Sequence, residues 1–434
     1  MELIMEATIH SLSPEGRGVT QFEGKTTFVE GALKDEKVTF EFIKRRSRFD
    51  EARVKDILEP SPDRVTPLCP HFGICGGCRL QHISANAQVL FKTESVKEQL
   101  LHFGKVIPKI WLPPIIGHSY QYRRKARLGV KYVFKKQKLL IGFREKQSSK
   151  ITDIEYCYIL EPKAADLIKP FAELLQALSC KIFIPQIEIA MGDSDMAWII
   201  RHLEPISVTE ITALITFAAL HNFQLYLQPH GPESVHKIWP IDTEYRLKYV
   251  LPNLHAKFLF HPTDFTQINA VVNTQMITLA LSLLAPSADE TILDLFCGIG
   301  NFTIPLALHA KEVIGVEGSE KMVERLLENA AFNNLTNIQG FAANLDSPPQ
   351  AAAWMSQPYD KILLDPPRSG ALAILPFIAK SSVKRIVYIS CNPATLARDV
   401  GELVHKYGFT LQSVGVMDMF THTEHIESIA LLER

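Results

Sequence analysis

The sequence predicts an α/β protein whose carboxyl-terminal part is a parallel sheet covered by helices, preceded by a small β-barrel and a central mixed α+β region. Three observations predict this. Apolar runs of strand length at 291–296, 312–317, 359–364 and 385–390 are interleaved with helical segments, the rhythm of a parallel sheet. Polar residues close those runs one after another. The first 60 residues read instead as short strands with glycine turns, the pattern of a small barrel.

In chain order, the amino-terminal strands fall at 5–10, 26–29, 38–43 and 52–58, broken by Pro14-Glu-Gly-Arg-Gly18 and Glu30-Gly31. Lys44-Arg-Arg-Ser-Arg48 lies at a strand exit, where basic side chains can meet phosphates. Next, Cys69, Cys75 and Cys78 place three thiols on a glycine-bearing loop too short to form its own core. A metal is the expected cross-link, and zinc or an iron-sulfur cluster both suit the spacing.

Residues 84–103 carry a helical apolar face of Val89, Leu90, Val96, Leu100 and Leu101. Alternation through 121–143 then predicts a strand pair with a basic face, with Tyr122, Tyr132 and Phe143 available to stack bases. An ordinary solvated sheet face fits that alternation equally well. Mixed strands and helices continue to about 255, and Cys180, between apolar segments, reads as a core residue.

Thr291-Ile-Leu-Asp-Leu-Phe-Cys-Gly-Ile-Gly-Asn-Phe-Thr303 is an apolar strand ending in Asp294, a tight turn with Gly298 and Gly300, and a helix start. Such turns let a cofactor approach bare backbone. A nicotinamide dinucleotide site would want a third glycine where Thr303 stands. Glu317 closes the next strand, where a ribose would offer its hydroxyls, and the two acidic residues together favour S-adenosylmethionine. Cys297, inside the turn, reads as a small packing residue. Asn344 closes the third strand, and Asp365, followed by Pro366 and Pro367, the fourth.

The last of these strands, Arg385-Ile-Val-Tyr-Ile-Ser390, delivers Cys391 to a helix that Asn392 can cap and Pro393 can begin. The helix dipole there favours thiolate. A buried strand cysteine is the plain alternative. All these polar groups fall at carboxyl ends of strands, the ligand-binding edge of open α/β sheets, so a single pocket is expected.

Phe265-Thr-Gln-Ile-Asn269, the Asp294 turn, Asp365-Pro-Pro-Arg368, Ser390-Cys-Asn-Pro393 and His425-Ile-Glu427 together resemble the RNA uracil-C5 methyltransferases, in order and over essentially the whole chain. The loop from Cys69 to Cys78 is similar to the iron-sulfur loop of the RlmD (RumA) branch, which acts on 23S ribosomal RNA. The resemblance implies an OB-like TRAM RNA-binding barrel over 1–60, an iron-sulfur loop and central RNA-binding domain over 61–262, and a Rossmann-like S-adenosylmethionine methyltransferase domain over 263–434. It implies a [4Fe-4S] cluster on Cys69, Cys75 and Cys78, with Cys157 the candidate fourth ligand by elimination and by its place in the family pattern. Gln267, Phe296, Asn301, Glu317, Asn344 and Asp365 match the family's S-adenosylmethionine contacts, and Phe265 would pack beside cofactor or base.

The implied reaction is methyl transfer to C5 of a 23S rRNA uracil, uracil 1939 in the family's rRNA numbering, giving 5-methyluridine. Uracil C5 is a poor nucleophile, so the Cys391 thiolate would first add to C6. Glu427 matches the family's base, which removes the C5 proton so that the cysteine can leave. The target base must leave its stack to reach Cys391. Two alternatives stay open: another or an additional uracil in rRNA or tRNA, and a non-catalytic RNA-binding protein retaining the fold. Intact Cys391, Asp365 and Glu427 argue against the second.

Composition fits this reading. At 434 residues and 47% hydrophobic, the chain can bury large cores in two or three domains. Its net charge of −1 conceals a segregation, with 27 Lys and Arg against 16 Asp and Glu in residues 1–150 and 19 against 31 in the remainder. A basic front half is the footprint of a polyanion-binding module. Seven cysteines point to a metal or catalytic thiol rather than a disulfide framework. No basic segment precedes an apolar run at the amino terminus, and no run reaches membrane-spanning length. The expectation is a cytoplasmic monomer with 23S ribosomal RNA as partner and no membrane.

Overall fold

The computed structural model describes residues 5–241, 246–349 and 351–434, so the first four residues of the expected barrel lie outside it. Met5–Thr8, Ser11–Leu12, Gly18–Phe22, Lys25–Glu30, Lys37–Arg45 and Phe49–Glu59 form one six-stranded sheet. Met5–Thr8 and Ser11–Leu12 lie at its opposite edges yet are nearly continuous in sequence. The sheet must therefore curl and close, removing free edges. Ile9, Val29, Val38 and Phe40 fill the interior. Gly18–Phe22 is a strand that the sequence reading leaves out, because its turn residue and two polar side chains mask the alternation.

In the central region, Lys125–Val133 pairs antiparallel with Lys138–Gly142 and with Gln186–Met191. Ala126, Leu128 and Val130 are buried while Arg127 and Lys131 face solvent, so the expected basic face exists. Of the three aromatics expected to stack on bases, Tyr122 is withdrawn: it is buried and donates its hydroxyl to Thr421 O at 2.8 Å. Tyr132 and Phe143 are partly buried against the sheet's core. Cys180 is a core residue, as expected.

Ser84 caps the helix Ala85–Gln99 by accepting from Ala87 N–H, a contact worth about 1 kcal/mol. The final turn, Leu100–Gly104, widens, with Lys105 N–H reaching back to Leu100 O. Val89, Val96 and Leu100 are buried as expected, but Leu90 and Leu101 are 63% and 51% exposed. The buried stripe runs instead through Gln88, Lys92, Val96 and Leu100. Two polar members kept it from being read by hydrophobicity.

The carboxyl-terminal sheet has eight strands in the order Ile338–Ala342, Glu312–Glu317, Thr291–Leu295, Lys361–Leu364, Arg385–Ser390, Glu427–Glu433, Thr410–Met417 and Ile110–Trp111. The first five run parallel. Their interiors are almost continuously apolar, as strands covered on both faces must be; Ile292, Leu293, Ile314, Leu363 and Ile386 are completely buried. Each such side chain contributes about 1.5 to 3 kcal/mol by leaving water.

Segments from earlier in the chain complete this body. Ile110–Trp111 adds the edge strand, and Val96 and Leu100 share a core with Leu396 and Val400 of the helix Pro393–His405. The hairpin Leu247–Leu251 and Ala256–Phe260 is tied to the helix Glu320–Phe332 by Leu259 N–H donating to Asn329 Oδ1 at 2.7 Å. Among the described residues no helix is long and apolar enough to cross a membrane.

Candidate active site

A cavity of about 680 Å³ opens at the carboxyl edge of the parallel sheet. Gln267, Phe296, Asn301, Glu317, Asn344, Asp365, Cys391 and Glu427 all line it. Residues scattered over 160 positions of sequence thus meet, most of them because they follow neighbouring strands, with Gln267 added from the loop after Phe260.

The turn after Thr291–Leu295 forms one wall. Gly298 and Gly300 adopt φ of 54° and 95°, left-handed values that cost glycine nothing, and a Cβ on Gly300 would collide with Leu326. Gly298 N–H donates to Glu317 Oε2 at 3.1 Å, and Ser319 N–H to Oε1 at 3.2 Å, so the carboxylate is held at the cavity wall by backbone. Asn301 is fixed in turn by Tyr249 Oη, which donates to its Oδ1 at 3.1 Å, and by two bonds with Asn273.

Asp294 corrects an expectation. It does not reach the cavity; it is completely buried beneath the turn, accepting from Thr303 Oγ1 at 2.6 Å. Burial, reinforced by the charges of Asp365 and Glu317, pushes its carboxyl up to about 7. Its part is to brace the turn. Thr303, where a dinucleotide site would have glycine, serves that brace. Cys297 is buried in the turn, as a packing residue would be.

On the opposite wall, Arg385–Ser390 and Glu427–Glu433 pair antiparallel up to Ser390 facing Ser428, so Cys391 and Glu427 come next across the two strands. Asn392 caps the helix Pro393–His405, its Oδ1 accepting from Ala394 N–H at 3.1 Å, while its Nδ2 donates to Arg368 O at 3.0 Å. Arg368 Nη2 lies 3.3 Å from both ring nitrogens of His425.

The cap is as expected; the ready thiolate is not. Burial, with the charges of Glu427 and Asp365, pushes the Cys391 thiol up to about 11, against a smaller opposing effect of Arg368. A helix terminus contributes typically 0.3 to 1 kcal/mol, less than one pK unit at about 1.4 kcal/mol each. Partial burial and the two nearby carboxyls together outweigh it. Those carboxyls are themselves pushed up, Asp365 to about 7 by burial and Glu427 well above the carboxylate range by burial and the Asp365 charge. The three groups thus compete for ionisation, and proton release at one favours proton retention at the others.

Cys69, Cys75, Cys78 and Cys157 face one small pocket with Phe143, Tyr156 and Ile159. All seven cysteines are free thiols. Burial and mutual repulsion push Cys78 up to about 12 and Cys157 to about 11. Among the described residues no group of three or more His, Cys, Asp or Glu side chains is arranged to hold a metal ion.

Tyr249, Met322 and Phe420 also line the cavity, beyond the residues expected from the sequence. Arg368 and His425 also line it, and their motifs signalled their neighbourhood but no role. Nothing local marks Tyr249 or Phe420; both arrive from loops or hairpins outside the strand-end pattern.

A parallel sheet with a glycine turn after one strand, a backbone-held carboxylate after the next, and a cysteine and carboxylate across the same cavity is the ligand-binding edge of an open α/β sheet with a thiol and an acid side by side. The chain belongs to the tRNA (Uracil-5-)-methyltransferase family, whose profile matches residues 86–347 and 350–434. It is 49% identical over 428 residues to the 23S rRNA (uracil(1939)-C(5))-methyltransferase RlmD of Alcanivorax borkumensis, covering 99% of this chain and 96% of the relative. To the RlmD of Nitrosococcus oceani it is 48% identical over 431 residues, again covering 99% and 96%. Among solved structures it resembles the Pyrococcus abyssi tRNA (uracil-54, C5)-methyltransferase in complex with S-adenosyl-L-homocysteine, with a TM-score of 0.74, 22% identity and coverage of 99% and 100%. That likeness shows the shared fold.

Proposed function

We propose that this protein methylates C5 of a uracil in 23S ribosomal RNA, position 1939 as in the names of its relatives, through a covalent bond between Cys391 and C6. The observation that carries the proposal is the meeting of Cys391 and Glu427 in the same cavity as Gln267, Phe296, Asn301, Glu317, Asn344 and Asp365. The cavity's volume suits a nucleoside cofactor. Glu317 offers acceptors for ribose hydroxyls, and Phe296, Ile299, Met322 and Leu345 offer an apolar wall for an adenine. S-adenosylmethionine, when bound, supplies an electrophilic methyl group.

Cys391 acts as nucleophile toward C6, and its thiol proton must leave first; Asp365, which faces it, is the acceptor, so that Glu427 stays free for the later proton. Saturating the C5–C6 bond makes C5 nucleophilic. After methylation, Glu427 takes the C5 proton, and the electrons of that C–H bond re-form C5–C6 as the sulfur leaves. Positioned bases of this kind contribute about 100-fold to 10,000-fold. The buried cavity requires the uracil to be turned out of its stack.

The accessory regions are read in the same way. The closed barrel is a TRAM domain that holds RNA. A second cavity, of about 540 Å³, where barrel meets cysteine loop, is lined by Arg17, Arg53, Arg64, Arg79 and Lys146 against Glu15 and Glu30, which suits a phosphate backbone. Cys69, Cys75, Cys78 and Cys157 hold a [4Fe-4S] cluster. The meeting of the four thiols at one pocket, and the likeness of the loop Cys69 to Cys78 to the RlmD branch, support that reading. The protein is read as a cytoplasmic monomer. The test is to map 5-methyluridine in 23S rRNA from cells with and without the protein; loss at a single uracil is expected, and an unchanged map refutes the proposal.

A further inference from the structure

The loop 418–426 joins the paired residues Met417 and Glu427, brings Phe420 and His425 to the cavity and so sets where Glu427 begins its strand. Much of what holds this loop comes from far away in sequence. Lys92, fully buried, donates to Asp418 Oδ1 at 2.6 Å and to Phe420 O at 3.0 Å. Gln88, also fully buried, accepts from His422 N–H at 2.9 Å and lies 3.1 Å from His422 Nδ1. The backbone N–H groups of Arg79 and Leu80 both donate to His422 O, at 2.8 and 3.0 Å. Arg79 also pairs with Glu424 at 3.2 Å. Arg79 directly follows Cys78.

A solvated hairpin loop has no need of a buried lysine and a buried glutamine. Polar groups taken out of water must be satisfied, and a buried charge left unpaired is costly, so this arrangement has one geometry and resists drift. We infer that the segment from Cys78 to Lys92 is a positioning strut for Glu427, through which the order of the cysteine loop is felt in the proton-removal step. Gln88 and Lys92 touch neither substrate nor cofactor cavity; they act through the loop. The inference rests on Glu427 being the base.

The test uses full-length Gln88→Leu and Lys92→Met, with Lys92→Met/Asp418→Asn as a milder version that leaves no buried charge. Two rates are compared. Covalent capture by RNA carrying 5-fluorouracil reads Cys391 addition and methylation without proton removal, whereas turnover on ordinary RNA needs every step. Capture within about threefold of wild type, turnover reduced at least tenfold, and accumulation of the denaturant-resistant adduct on ordinary RNA are expected, as in Glu427→Gln. Hydrogen exchange of residues 418–426 should rise in these variants and in Cys78→Ser.

Capture and turnover falling together would mean a general structural defect and overturn the inference. Unchanged exchange of 418–426 in Cys78→Ser would overturn the link to the cysteine loop. Normal turnover in the strut variants while Glu427→Gln stalls overturns the inference alone; normal turnover in Glu427→Gln overturns the assignment of the base and the strut with it.

Discussion

Replacing Asp294 by Asn should stabilise the protein, and more so as pH rises. Asp294 is fully buried, one oxygen accepting from Thr303 and the other, Oδ1, without a partner. Its carboxyl titrates at about 7 in the fold, against about 3.9 in an unfolded chain. The folded state therefore binds this proton more tightly. The cost of ionising the group is absent below pH 4, grows between pH 4 and 7, and is constant above. Three pK units correspond to about 4 kcal/mol as an upper bound. Asparagine retains an acceptor for Thr303 but leaves amide hydrogens unsatisfied, which returns about 1 to 3 kcal/mol. A net gain of about 1 to 2 kcal/mol at pH 8, and none or a loss at pH 5, is expected for cofactor-free protein in urea denaturation. S-adenosylmethionine affinity should change little, since Asp294 does not line the cavity. A variant whose stability relative to wild type is the same at both pH values, or falls as pH rises, would refute the reasoning.

Cys391→Ala should abolish methyl transfer while S-adenosylmethionine binding, followed by calorimetry, stays near wild type; residual transfer above background would remove Cys391 from the nucleophile role. Anaerobically purified protein should carry about four irons per chain and lose them in Cys78→Ser or Cys157→Ser, whereas one equivalent of zinc would replace the cluster assignment. Lys44 and Arg48 are exposed and form no ion pair among the described residues; if they meet phosphates, Lys44→Gln/Arg48→Gln should weaken rRNA binding and reduce the slope of log K against log salt by about 1.4 to 1.8. An unchanged slope would place the RNA elsewhere.

Local chemistry was legible from the chain because it is written in neighbouring residues. A glycine turn after an apolar strand, a proline and asparagine at a helix start, and three spaced cysteines each state their geometry without help from distant sequence. Strand-end polar residues could even be assigned to one pocket, since parallel sheets present their carboxyl ends on one edge. The family resemblance then supplied expected roles for those positions.

Other features depended on what the tertiary structure places across the gap. Gln88 and Lys92 look like the polar side of an amphipathic helix until Asp418 and His422 are found against them. Leu90 and Leu101, which look like its core, face solvent. Tyr122 resembles a stacking aromatic but is used up by Thr421 O. Asp294 and Glu317 are both strand-end acids, yet only Glu317 lines the cavity. The Cys391 thiol shows the reason most plainly. Its helix cap is local and could be read from three consecutive residues, whereas its ionisation is set by burial and by carboxyls 26 and 36 positions away in sequence. Backbone geometry is decided by a residue and its neighbours; burial and charge belong to whichever surfaces the fold brings together.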